Sequence, residues 1–254
     1  ANRPVINVSW WDAIAYCNWL SEKEKLPKAY DNNGNFLDKD GRVTTDPSKV
    51  VGYRLPTEAE WEYTARGGNK SKGYKYAGSD NVDDVAWYDS NSGDKYLTGD
   101  LDWDTIMENN CKTHEVGKKS PNELGVYDMS GNVWEWCSDG YDNNYYSKSP
   151  TTNPYNSTGG SFRIYRGGSW YGYVTGTRVA FRFNYDPEYA FGDMGFRVTR
   201  TVPSEGENRP YQSLTPCNPN PSDKATGQSL TVTLSWGSYP DGDTVTYDVY
   251  FDTN

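Results

Sequence analysis

Four cysteines, one histidine and a short acidic segment are the side chains of this 254-residue chain best suited to chemistry. Cys17, Cys111, Cys137 and Cys217 are scattered, with no Cys-x-x-Cys pair to gather thiolates around a soft metal. Four cysteines allow three full pairings, and spacing does not choose among them. Cys17 and Cys137 read as small buried hydrophobes rather than bridge partners. The sole histidine, His114, lies in a Thr-His-Glu-Val-Gly segment and reads as structural, so a site needing several histidines cannot form within this chain. Residues 138–216 contain no thiol at all.

What that interval holds instead is rings. Eight of the 22 residues from Trp170 to Phe191 are aromatic, more than twice the chain-wide 15%. Tyr and Phe give large contact area with few rotors to freeze, and Tyr, Gly, Asn and Asp together resemble the composition of a binding loop. Trp170 and Phe196 are expected in the core. Tyr171, Tyr173, Phe181, Phe183, Tyr185, Tyr189 and Phe191 are expected at the surface, because apolar rings cluster where interfaces form. Val174, Thr175, Thr177, Asp186 and Asp193, interleaved with them, complete the expected ligand-binding set.

The rest of the composition narrows the partners. A net charge of -10 and a pI near 4.7 argue against nucleic acid or an anionic membrane surface, and Lys118-Lys119 is too small a basic patch for phosphates. No stretch approaches the roughly 20 apolar residues of a membrane span, and no signal peptide is visible. Mean hydropathy is -0.92, yet 22 Tyr, 10 Trp and many glycines point to a loop-rich globular protein with a ring-built core rather than to disorder.

Two helices must position these parts. Ser9 can cap a helix whose buried face is Ala13, Tyr16, Cys17 and Leu20, with Asp12 reaching back. Thr57 and Glu60 have capping-box spacing for a second helix, running through Trp61 and Ala65 to Gly67-Gly68. Lys28–Lys49 reads as an insertion or hairpin around Asn32-Asn33-Gly34. About fifty residues, 69–120, read mostly as loop, with Asp100, Asp102 and Asp104 solvated. Residues 203–228 are rich in Pro, Ser, Asn and Gly and read as a linker. Leu230–Trp236 and Val245–Phe251 alternate with period two around Asp241-Gly242, like the opening hairpin of an immunoglobulin-like or fibronectin-like repeat. Such a domain needs about seven strands, so residues 229–254 are expected to be part of one, cut short.

Four motifs occur in order: Asn7-Val-Ser-Trp-Trp-Asp-Ala, Tyr53-Arg-Leu-Pro-Thr-Glu-Ala-Glu-Trp-Glu-Tyr, Leu124-Gly-Val-Tyr-Asp-Met-Ser-Gly-Asn-Val-Trp-Glu-Trp, and Arg166-Gly-Gly-Ser-Trp followed by Gly195-Phe-Arg. Together they resemble the formylglycine-generating enzyme (sulfatase-modifying factor) family over roughly residues 4–201. The family's opening Gly-x-Phe-x-Met-Gly region has no counterpart in the sequence. The resemblance implies an α+β, C-type-lectin-like, loop-rich domain at 1–202, with two helices and small twisted sheets. It also implies calcium at Asp128 and Glu135 with the Gly131 and Val133 carbonyls, hard oxygens of the kind that ion takes. The alternative role for the two carboxylates is capping turns or pairing with arginines.

The same resemblance argues against an enzyme on chemical grounds. The family's oxidase site resembles a copper(I)-dithiolate centre, and a sister branch uses histidine-bound iron. Neither ligand set exists between Arg166 and Arg197, so no copper, iron or catalytic residue is expected. The frame instead resembles the variable region of diversity-generating retroelement proteins. There, adenine-specific mutagenesis of AAC or AAT codons rewrites surface side chains, and it cannot produce Lys, Glu, Gln, Met or Trp. Those five types make up 41 of 254 residues but only one of the 23 in Tyr171–Asp193, namely Glu188. The expected function is a non-catalytic receptor or adhesin on a cell or virion surface, binding a protein or glycan ligand. A cysteine-oxidising enzyme and a calcium-dependent lectin are the alternatives.

Overall fold

A computed structural model describes residues 2–202 and the strand segments 232–235 and 246–249. Helix α1 (Trp10–Lys23) begins where the cap signal lies: Ser9 and Asp12 form a reciprocal capping box. Its buried face is Trp10, Ala13, Ile14, Cys17 and Ser21, shifted from the expected face because Tyr16 and Leu20 are only half covered. Helix α2 (Glu58–Ala65) starts at the Thr57–Glu60 capping box and gives way to Gly67 with φ 85°, a left-handed stop that glycine adopts freely.

Residues 69–120 are less loop-like than their composition suggests. They contain two short helices, α3 (Val82–Val85) and α4 (Trp103–Glu108). Asp102 is exposed, as expected, and its side chain also accepts the Thr105 N–H, capping α4. The expectation of two helices is corrected to four α-helices among the described residues, two of them little more than a turn.

The central sheet joins β1 (Trp134–Gly140), β2 (Arg163–Arg166), β3 (Arg182–Tyr185) and β4 (Met194–Phe196) in the order β3-β2-β1-β4. The β1–β2 and β2–β3 pairs are antiparallel, and β1–β4 is parallel. Strand β5 (Thr201–Val202) pairs with β7 (Thr246–Val249), which in turn pairs antiparallel with β6 (Val232–Ser235). The linker at 203–228 lies outside the described residues, as does the remainder of 229–254.

Rings build the core. One cluster gathers Trp10, Tyr30, Phe36, Tyr53 and Trp136 with Leu55 and Cys17, and a second gathers Trp61, Met129, Ile164, Cys137 and Val179. The four most buried indoles, Trp10, Trp61, Trp136 and Trp170, find acceptors for their N–H, which lets a ring with a polar tip serve as core, whereas the buried N–H groups of Trp11 and Trp87 have none. Trp10 Nε1 donates to the Cys137 carbonyl at 2.8 Å, Trp136 Nε1 to the Val8 carbonyl at 3.1 Å, and Trp170 Nε1 to the Gly192 carbonyl at 3.1 Å. A strongly negative mean hydropathy is therefore compatible with a dense interior.

Candidate functional site

The aromatic run 170–193 leaves β2, turns through a short 3-10 segment (Val174–Thr177), returns as β3, and ends at β4. Backbone hydrogen bonds from outside the run hold it. The Trp170 carbonyl accepts Ser92 Oγ–H at 2.5 Å, Gly172 the Asp89 N–H at 3.2 Å, and Thr177 Ser130 Oγ–H at 2.8 Å. The Pro187 carbonyl accepts the Trp10 N–H at 3.1 Å, Phe191 the Asn7 N–H at 2.9 Å, and Asp193 the Trp134 N–H at 2.8 Å. From β2, the wholly buried Arg166 guanidinium donates to the Val179 carbonyl at 3.1 Å and to the Phe181 carbonyl. The scaffold thus grips main-chain oxygens, groups present whatever the side chain is.

Several side chains of the run point away from that grip. Tyr173 is 67% exposed, Tyr189 51%, Phe183 47% and Tyr185 38%. Thr175 is also exposed, whereas Tyr171, Val174, Phe181, Asp186 and Phe191 are half-buried. The rings support one another: Phe181 stacks on Phe183, and Tyr185 meets Tyr189 and Phe191 edge-on at 5.1 and 5.2 Å. Trp170 is buried as expected, while Phe196 is only half covered.

Two expected members of the ligand-binding set are corrected. Thr177 is fully buried, its hydroxyl donating to the Val174 carbonyl at 2.8 Å to close the 3-10 turn. Asp193 is buried beside the Ser169 and Tyr171 hydroxyls, and burial pushes its carboxyl above the ordinary range. Neither side chain reaches a ligand on the outer face. Sequence reasoning also missed a ring beside the run: Trp103 of α4 is 54% exposed and lies edge-on to Tyr171 at 5.4 Å. Its only sequence signal is an aromatic residue just after a capping aspartate in an otherwise polar stretch.

The described cysteines are not at this face. Cys17, Cys111 and Cys137 are free and buried, and burial pushes the Cys17 and Cys137 thiols up, away from the thiolate form a nucleophile needs. His114 stacks on Trp87 at 3.7 Å, with Nε2 2.8 Å from the Ser92 carbonyl.

The segment Asp128–Glu135 forms a tight turn in which Asp128 (φ 56°), Gly131 (77°) and Asn132 (70°) are all left-handed. Asp128 Oδ2 accepts the Gly117 N–H at 2.7 Å, while Oδ1 is buried without a hydrogen-bond partner. Burial is the main cause that pushes the Asp128 carboxyl up. Glu135 is engaged more fully: Oε2 accepts Trp61 Nε1–H at 2.7 Å and Arg197 Nε–H at 2.6 Å, and Oε1 accepts Arg197 Nη2–H at 2.5 Å. Among the described residues no three His, Cys, Asp or Glu side chains gather as a metal cluster, so backbone carbonyls would have to complete any cation site. The open Asp128 Oδ1 and the remaining lone pair on Glu135 Oε1 fit a calcium ion. A cavity of about 220 Å³ adjoins the turn, with Tyr16, Trp19 and Phe196 among its walls and Asp128 and Glu135 lining it too.

The chain belongs to the sulfatase-modifying factor enzyme 1-like domain family, whose model matches residues 1–202. It is 42% identical over 207 residues to the chaperone protein LppX of Paenibacillus barcinonensis, a match covering 78% of this chain and 70% of LppX. It is 34% identical over 199 residues to the formylglycine-generating enzyme of Streptomyces coelicolor, covering 77% of this chain and 52% of that enzyme. The chain therefore spans about half the length of the latter relative. Among solved structures it is similar to Treponema denticola variable protein 1, with a TM-score of 0.59 and 36% identity over 78% of this chain and 70% of that one.

Proposed function

We propose that this protein is a non-catalytic ligand-binding protein of the receptor or adhesin type, with a diversified aromatic face at residues 171–193. The observation that carries the reading is the division of labour in that run. Its main-chain oxygens are held by fixed neighbours, while Tyr173, Phe183, Tyr185 and Tyr189 project outward. A face built this way tolerates exchange of side chains without loss of its backbone, as recognition loops on rigid scaffolds do. Burial of the described thiols, and their absence from the face, weigh against the cysteine-oxidising alternative.

The ligand is a protein or glycan on another cell or surface, and the protein works outside the cell, on a cell surface or on a virion. Calcium, held by Asp128 and Glu135 with the Gly131 and Val133 carbonyls, serves stability rather than ligand contact. It would compensate the buried Asp128 carboxylate and so fix the turn that leads into β1.

The test is sequencing of the coding DNA for residues 160–202, with its flanks, across a natural population. Differences confined to adenines of a nearby near-identical template, sparing Arg166–Trp170 and Gly195–Arg197, are the expected result. An invariant segment with no template would overturn the diversified-face reading and return a fixed lectin-type site to the front.

A further inference from the structure

The ligand face does not end with the run 171–193. Helix α4 turns Ile106 inward, into a cluster with Cys111 and Trp170 against which Leu97, Leu101 and Tyr171 pack. That anchorage sets α4 directly beside the run. Trp103, three residues earlier, is half exposed, with its ring 5.4 Å from Tyr171 and 6.5 Å from Trp170. Met107, one turn later, is 44% exposed. Trp103 continues the strip of open rings through Tyr171, and because both it and Met107 lie outside 171–193 they stay constant whatever the run becomes.

The charge around this extension is one-sided. Residues 94–108 carry five carboxylates against a single lysine. Asp100, Asp102, Asp104 and Glu108 are exposed, and none forms a salt bridge among the described residues. Of the run's own arginines, Arg182 is paired with the buried Glu58, which leaves Arg178, its Nε–H on the Thr175 carbonyl, as one cation against the four exposed carboxylates. Exposed indole and phenol faces amid uncompensated carboxylates favour cations, since a guanidinium or ammonium stacks on the ring while the carboxylates steer it in.

We propose that Trp103 is a fixed anchor of the ligand face and that the face selects a basic partner, a protein segment rich in arginine or lysine. The inference rests on the ligand-face reading and adds the partner's chemistry to it. Trp103 supplies the cation–π contact, and the carboxylates of α4 supply the long-range attraction.

The probe is a fluorescent oligo-arginine peptide, read by anisotropy against the protein of residues 1–254, with an oligo-glutamate peptide of equal length as the counterpart. The expected result is binding of oligo-arginine alone, weakening with salt. Trp103→Ala lowers the affinity roughly fivefold to tenfold, the range of a partly desolvated cation–π contact. Because Trp103 packs on Tyr171, a second variant leaves the packing alone: Asp104→Asn with Glu108→Gln lowers affinity and flattens the salt dependence. Glu22→Gln with Glu24→Gln, at the far end of α1 about 20 Å from its start, leaves binding unchanged. A control pair as costly as the α4 pair would reduce the attraction to bulk charge and overturn the proposal. Tyr173→Ala separates the two readings. If it weakens binding while Trp103→Ala does not, the α4 extension fails and the ligand face stands. If Trp103→Ala weakens binding while Tyr173→Ala does not, the basic site belongs to α4 and the ligand-face reading is what fails.

Discussion

Arg182 on β3 closes a two-point ion pair on Glu58 at the start of α2, Nε to Oε1 at 2.8 Å and Nη2 to Oε2 at 2.6 Å. The pair ties the strand that displays Phe183 and Tyr185 to a helix it does not neighbour in sequence. Glu58 is 1% exposed and also accepts the Tyr146 hydroxyl at 3.1 Å, with Arg166 Nε 3.5 Å away. Two guanidiniums therefore share one buried carboxylate, and the face is held from behind.

Removing that carboxylate leaves Arg182 without its ion-pair partner and strips Arg166 of one of its two, Glu62 being the other. Glu58→Ala is expected to destabilise the fold by about 3–5 kcal/mol, the usual cost of breaking a buried pair from one side. Chemical denaturation measures it. A loss near that of an exposed pair, under about 1 kcal/mol, would show that the network adds little.

Asp139 lies beside this network and titrates in an accessible range. It accepts the Glu58 N–H at 2.7 Å and the Asn156 N–H at 2.9 Å, yet its carboxyl is pushed up to about 7, first by burial and then by the Glu58 charge. A carboxyl with a raised folded pKa contributes stability at low pH that is lost as pH rises through the folded value. Between its ordinary value of 3.8 and about 7, the Asp139 contribution therefore declines, by roughly 4 kcal/mol in total. Asp139→Asn removes that component. Unfolding free energies of the two proteins, measured from pH 5 to 8 in about one-unit steps, are expected to separate as pH rises toward about 7, the wild type falling below the variant, if the amide is otherwise tolerated. Parallel curves would show that Asp139 is charged throughout.

Much of the scaffold was legible because its signals are local. The Ser9–Asp12 and Thr57–Glu60 spacings name helix starts through hydrogen bonds within four residues, and both capping boxes form. Helix α4 was not legible. Only Ile106 is buried along it, so no apolar periodicity rises above a run of aspartates that composition assigns to solvent. The inward turns of Thr177 and Asp193 were hidden for a different reason. They depend on a 3-10 turn closed by Val174 and on the contact of residue 193 with Trp134, neither of which leaves a periodic trace.

The outward rings make a contrasting prediction. Tyr173→Ala, Phe183→Ala and Tyr189→Ala are expected to change stability by less than about 1 kcal/mol each, because about half or more of each residue stays in water and no buried cavity is left behind. Trp170→Ala, which empties a buried site and orphans the Gly192 carbonyl, is expected to cost about 3–5 kcal/mol. Thermal melts of the four variants check both. Losses of several degrees at the three exposed positions would assign those rings to the core.

The proposed calcium ion gives the last test, through Asp128. With no cation bound, burial holds its carboxyl above the ordinary range, so its contribution to stability is lost as pH rises through the folded value. A bound calcium favours the carboxylate and reverses that sign: its contribution is then present at neutral pH and lost as pH falls. Wild-type protein in excess calcium is expected to melt higher than in chelator, by an amount equivalent to about 2.7 kcal/mol when calcium stands a hundredfold above its Kd. Asp128→Ala abolishes the difference. Asp128→Asn keeps an oxygen donor but sheds the charge, so a smaller difference survives. Equal melting in calcium and chelator, with no metal found by elemental analysis, would leave the Asp128–Glu135 turn as a hydrogen-bonded structure built around Arg197 and Trp61.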